Sequence, residues 1–366
     1  IEVRNAHGKE RAAIAAYSFN IEDVSFAGPG TPPTVTFAVR NPENNNAPYE
    51  LEDNAALYGS LRFYVAWDTV DYNNIENIDN TVMPPAVTAR SNSQPASTNV
   101  YNADVLNATA NPDDTYYLEL TDVSAVATGT GSVVLVGFVD DPEAGQLRVP
   151  STFRYFSITD PANSPVERRK TVDIQRCNDC HNPMTFHGGA RNDSVEACQV
   201  CHIPDAARRS NLGPMDMKSF IHRIHVVDDI RYPAEDYDCL VCHVEDGFYP
   251  FRLSTGILAT STTRGASETD PTDNNRISPN SAACGVCHSD TGAIAHMEGR
   301  GGSFDACQES DGSIFVREDV CGPMATVGDP VTEGGCASCH GKGGSFDTAL
   351  CHTAFSIADP DVCVAN

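Results

Sequence analysis

The chain has 366 residues, long enough for two domains. A formal charge of -26 excludes a dedicated nucleic-acid surface or an anionic-membrane surface, and it suits solubility, cationic partners or divalent cations. No apolar run approaches the roughly 18 residues of a membrane-spanning helix, and all 14 cysteines lie after residue 176, so the two halves are unlike.

Residues 1–165 alternate apolar and polar side chains between clusters of Pro, Gly, Asn and Asp. Tyr17, Phe19 and Ile21 keep period two, as do Val35, Phe37 and Val39, and then Leu61, Phe63, Val65 and Trp67. Tyr116, Leu118 and Leu120 repeat it; residues 132–139 are a nearly continuous apolar run, and residues 152–158 close the series. This is the signature of half-buried antiparallel strands, and no helical stripe competes with it. The expectation is an all-β N-terminal domain, a Greek-key barrel or sandwich. Residues 41–46 and 88–99 read as polar loops. Two acidic clusters, Glu50, Glu52 and Asp53, then Asp140, Asp141 and Glu143, have the oxygen chemistry for calcium, but a solvated acidic loop is the simpler reading. His7 reads as a surface histidine, against a ligand reaching a neighbouring subunit.

Residues 161–165 read as a linker into a second domain, 166–366. Arg168, Arg169 and Lys170 follow at once, the densest basic run of the chain, suited to pairing with the propionate carboxylates of a prosthetic group or, equally, a simple surface charge run. Then comes Cys177-Asn178-Asp179-Cys180-His181, the C-x-x-C-H attachment signature of a c-type haem. Two thiols add across the haem vinyls, and the adjacent imidazole is held under the iron. The pattern recurs with Cys198, Cys201 and His202; Cys239, Cys242 and His243; Cys284, Cys287 and His288; and Cys336, Cys339 and His340. Structural zinc, the rival for paired cysteines, does not demand a histidine directly after every second Cys. Five c-type haems are therefore expected, in a haem-dominated domain with few short helices and long loops such as 254–281.

Of 11 histidines, five are proximal ligands. Setting His7 aside leaves His187, His222, His225, His296 and His352, one for each iron. The match in number points to bis-histidine ligation, with distal methionine or a hydrogen-bonded core histidine as the competing readings. His222 and His225 are expected on one helix over 215–227, with Pro214 at its first position. Their i,i+3 spacing forbids both from serving one haem from one side, so they are expected to serve two. Four cysteines remain: Cys307, Cys321, Cys351 and Cys363. In an oxidising compartment they suggest two disulfides with three possible connectivities, of which 307–321 and 351–363 close the shortest loops. Covalent haem is installed outside the cytoplasmic membrane, so export with removal of a signal peptide is expected.

The haem half resembles one pentahaem module of the outer-membrane decahaem cytochromes of the OmcA/MtrC type. The stretches that carry the resemblance are Arg168-Arg169-Lys170, His187-Gly188-Gly189-Ala190-Arg191, Phe220-Ile221-His222-Arg223-Ile224-His225, Arg231-Tyr232-Pro233, and His340-Gly341 with Phe346-Asp347 and His352. The resemblance implies a split barrel before the haem module. It also implies bis-His haems with the five spare histidines as distal ligands, and a location on the outer-membrane surface or outside the cell. The partners it implies are other multihaem cytochromes or an outer-membrane conduit, with metal oxides or flavins as extracellular acceptors. Such proteins carry two barrel-plus-pentahaem halves; this chain has one, which leaves room for a homo-oligomer or filament. A carrier is expected rather than an enzyme, the alternative being a multihaem reductase with one open iron.

Overall fold

A computed structural model of the chain describes residues 12–67, 101–120, 122–123, 125, 127–168, 170–181, 183–202, 214–227, 239–244, 261–263, 275–304, 306–308, 314–317, 327–330, 336–341 and 343–347. His7, the 88–99 loop, Arg169, Arg231-Tyr232-Pro233, Cys321, Cys351, His352 and Cys363 lie outside these residues. The described residues form two compact units.

The first unit is a β-domain of two antiparallel sheets. One sheet runs β1 (Ser18–Ser25), β2 (Thr34–Asn41), β7 (Tyr116–Glu119), β6 (Thr109–Ala110), with β3 (Ala47–Pro48) also on β2. The other runs β11 (Thr152–Ser157), β8 (Thr130–Val136), β4 (Arg62–Ala66), β5 (Tyr101–Asp104). A hairpin, β9 (Val139–Asp141) and β10 (Gly145–Leu147), stands apart. The expected alternation is visible as burial. Val35, Phe37 and Val39 of β2 and Phe63 and Val65 of β4 point into one core, where the Phe37 and Phe63 rings meet edge-on at 4.9 Å. A bulge between Ile21 and Asp23 of β1 frees the Ile21 carbonyl, which accepts from Arg154 of β11 at 3.4 Å. The first strand of one sheet is thus tied to the last strand of the other, as in a split barrel.

β8 departs from alternation because every one of its residues is buried. Val133 and Leu135 belong to the barrel core. Val134 and Val136 are equally buried on the opposite face, where the short helix α2 (Glu196–Gln199) packs with Val195, Ala197 and Val200. A strand covered on both sides reads as a continuous apolar run. The cover comes from beyond residue 165: residues Cys177–Val200 pack with the barrel, so the first unit reaches past the expected linker.

That extension holds the Cys177–His181 part of α1 (Ile174–His181) and the small hairpin β12 (Thr185–Phe186) and β13 (Arg191–Asn192). The second unit, Arg168–Arg176 and Cys201–Asn366, carries α3 (Met217–His222), α4 (Pro279–Cys284), α5 (Thr291–Glu298) and α6 (Cys336–His340). Sparse helices match the expectation, but the sequence pattern did not foretell a five-stranded antiparallel sheet. Its strands are β14 (Ser261–Thr263), β15 (Asn275–Ile277), β16 (Ala306–Gln308), β17 (Ile314–Arg317) and β18 (Val327–Pro330), in that order. Helix α3 also starts later than expected. Asp216, not Pro214, delimits it: the Asp216 carboxylate caps Ser219 N–H at 3.3 Å, and Met217 is the first helical residue.

Candidate haem-binding sites

The spacing C-x-x-C-H needs one helical turn, because i, i+3 and i+4 share a face. Cys177, Cys180 and His181 end α1, and Cys336, Cys339 and His340 fill α6. In the fourth motif the turn continues past α4, with His288 N–H donating to Cys284 O at 3.0 Å. Cys198 lies in α2, with Cys201 and His202 just beyond it, and the third motif opens as a 3-10 turn at Cys239–Val241.

A metal-binding imidazole needs its far nitrogen free of a proton, and a carbonyl on the near nitrogen fixes that tautomer. Three histidines show the arrangement. Nδ1 of His202 lies 2.7 Å from Met215 O, Nδ1 of His225 lies 2.9 Å from Ile221 O, and Nδ1 of His340 lies 3.2 Å from Phe346 O. A carbonyl only accepts, so Nδ1 donates and Nε2 keeps its lone pair.

The structure brings two spare histidines beside motif histidines. The ring centres of His222 and His243 are 5.9 Å apart with planes at 29°, and those of His296 and His340 are 6.2 Å apart with planes at 87°. One metal between two imidazoles, each bond about 2 Å, separates ring centres by about 6 Å. His296 therefore stands beside the fifth motif, although eight residues separate it from the fourth. His222 and His225 do not share a plain helical face. The helix widens to a π turn over Arg223–Val227, which opens the angle between the two imidazoles. His187 sits on the turn between β12 and β13 with φ +53, in the left-handed region. Cys307 lies in β16 opposite Phe315.

Burial differs sharply between the units. Among the described residues of the second, Pro279 and Ala282 are the buried apolar side chains, whereas Asp216, Ser219, Ser278, Asn280, Ser281, Ser303 and Asp347 are buried polar ones. Large apolar side chains are exposed next to the motifs instead: Phe186 at 47%, Leu240 at 40% and Phe346 at 39%. Phe186 packs edge-on to His181 at 5.6 Å and Phe346 lies 6.1 Å from His340. These exposed side chains fit an apolar macrocycle at the first, third and fifth motifs, which would supply hydrocarbon that the described residues of the second unit lack.

Of the basic run, Lys170 is engaged by Asp173 at 2.5 Å, and that hydrogen bond holds the Asp173 carboxyl below its usual range. Several residues of the acidic clusters accept from protein donors at the surface. Glu50 and Glu52 both accept from the Tyr116 hydroxyl, at 3.1 and 2.7 Å. Asp141 accepts from Glu143 N–H and Ala144 N–H at 2.9 and 2.8 Å. Among the described residues no group of three or more His, Cys, Asp or Glu gathers to hold a metal ion, and no helix is long and apolar enough to cross a membrane.

Residues 169–353 match the family described as outer membrane cytochrome MtrC/MtrF-like, domains II/IV. The chain belongs to this family of outer-membrane multihaem cytochromes. The fold is similar to that of MtrC from Shewanella baltica OS185, with TM-score 0.53, 14% identity, and 82% of this chain and 50% of that one covered. It is also similar to the outer-membrane decahaem cytochrome OmcA, with TM-score 0.51, 18% identity, and 84% and 47% covered. The chain thus spans about half the length of either. Comparison with curated protein sequences finds no match.

Proposed function

We propose that this MtrC/MtrF-like chain is an electron carrier holding five covalently attached haems, each between two histidines. Each haem, when bound, supplies a one-electron iron couple. Cys177, Cys180, Cys198, Cys201, Cys239, Cys242, Cys284, Cys287, Cys336 and Cys339 form the thioethers, and His181, His202, His243, His288 and His340 bind the irons. His222 serves the iron of His243, and His296 that of His340. His187, His225 and His352 serve the rest.

The observations that support this reading are the recurring C-x-x-C-H turns and the scarcity of buried hydrocarbon among the described residues of the second unit. A second histidine closes each iron to small substrates, which favours relay over catalysis and lowers the potential relative to Met/His ligation. The acceptors are extracellular, metal oxides or flavins, or neighbouring cytochromes, including further copies of this chain.

A pyridine haemochrome assay with intact-mass measurement tests the count, with five haems per chain expected. EPR of the oxidised protein tests closure. Five low-spin irons support a carrier, and a high-spin ferric signal supports a reductase with one open haem.

A further inference from the structure

We propose that Asn192 is a positioning residue through which the barrel fixes the imidazole of His187, making the barrel part of a ligand clamp. This rests on His187 being an iron ligand. His187, Gly188 and Gly189 have φ of +53, +68 and +90, three left-handed residues in succession. For a histidine that conformation is strained, and it persists only where the surroundings over-determine it.

Asn192 supplies the determination. It is fully buried, and each of its polar atoms is engaged within the barrel unit. Its amide group donates to Gly189 O at 2.7 Å, the end of the strained turn, and to Gly137 O at 2.9 Å, at the end of β8. Its side-chain oxygen accepts from the Thr185 hydroxyl at 2.5 Å, two residues before His187. Its backbone N–H donates to Ser151 Oγ at 3.3 Å, and its carbonyl accepts from Ser151 N–H at 2.8 Å.

The barrel end of this clamp is rigid. A Cβ on Gly137 would fall 2.8 Å from Ser60 O and 2.9 Å from Leu61 Cα, so that backbone has no room to shift. Asparagine is required because two carbonyls face the amide nitrogen. An aspartate of the same shape would set its carboxylate against both. The attachment helix is joined to the same hairpin through Asn178, which donates to Asp193 Oδ1 at 2.5 Å and accepts from Met184 N–H at 2.7 Å. None of these stitching side chains is itself a ligand.

The test is carbon monoxide binding to the reduced, fully haem-loaded chain, with haem count and EPR on the same samples. A six-coordinate bis-His iron takes up little carbon monoxide. His187→Ala is expected to bind one equivalent. Asn192→Asp and Asn192→Leu are expected to approach one equivalent at unchanged haem count, with a matching rise in high-spin signal. Thr185→Val, which withdraws only the hydroxyl held by Asn192, should bind a fraction of one equivalent. It decides the matter together with whichever Asn192 variant folds. If His187→Ala binds none, the ligand reading itself fails. If His187→Ala binds one equivalent while the Asn192 and Thr185 variants stay at the wild-type level, the positioning role is overturned.

Discussion

The guanidinium of Arg176 donates to the carbonyl oxygen of His243 at 2.5 Å, across 67 positions of sequence, and also reaches the carbonyl of Leu240. Arg176 immediately precedes the first motif, and His243 closes the third. The segment around it lies along the third motif, through a Val172–His243 bridge and Val244 N–H to Thr171 O at 3.1 Å. On the proposed role of His243 as an iron ligand, a fixed positive charge beside it favours the reduced iron. Arg176→Ala should therefore lower the potential of one haem, and Arg176→Lys should lower it less. Spectroelectrochemical titration reads this out, and identical potentials in wild type and Arg176→Ala would refute it.

Two barrel tyrosines should respond in opposite ways to loss of a hydroxyl. Tyr58 is fully buried and its hydroxyl finds no hydrogen-bond partner among the described residues. Tyr116 accepts from Leu51 N–H at 2.9 Å and donates to the Glu50 and Glu52 carboxylates. Tyr58→Phe should be neutral or stabilising, whereas Tyr116→Phe should cost about 1–3 kcal/mol by stranding the buried Leu51 N–H. Thermal unfolding followed by circular dichroism measures both.

Alkali should weaken the barrel before mild acid does. Burial raises the pKa of Tyr17 to about 12, and it raises Tyr49, Tyr58 and Tyr116 as well. An unfolded tyrosine ionises near 10. A raised folded-state value means that the stability held below pH 10 is lost as pH climbs through the folded value. Chemical denaturation midpoints should fall between pH 10 and 12. Flat midpoints across that window would show that the phenols ionise at ordinary values.

Gly137 has φ +133, and an added Cβ would meet Leu61 and the Ser60 carbonyl. Gly137→Ala should destabilise the barrel by about 1–3 kcal/mol from backbone strain alone, with steric overlap adding to it. A melting temperature unchanged from wild type would contradict that.

The barrel was legible wherever a strand has one wet face. Val35, Phe37 and Val39 alternate in the sequence and are all buried in the structure. Residues 132–139 announced burial but not its cause, since Val134 and Val136 are covered by a segment some 60 positions onward. The attachment motifs were legible because thioether chemistry ties residue type to short spacing. The approach of His296 to His340, 44 positions onward, was not, because that pairing is made by tertiary structure. Nor were strands such as Ser261–Thr263 and Val327–Pro330, which are too short to show a period.

The lopsided store of apolar side chains sets an order of maturation. The barrel holds its own dry interior and closes as soon as it reaches the far side of the membrane. The described residues of the second unit bury little hydrocarbon of their own, so on the proposed haem content a chain starved of haem would keep its barrel and gain protease-sensitive sites after residue 200. Prosthetic-group supply, rather than polypeptide synthesis, then governs how much of this protein survives.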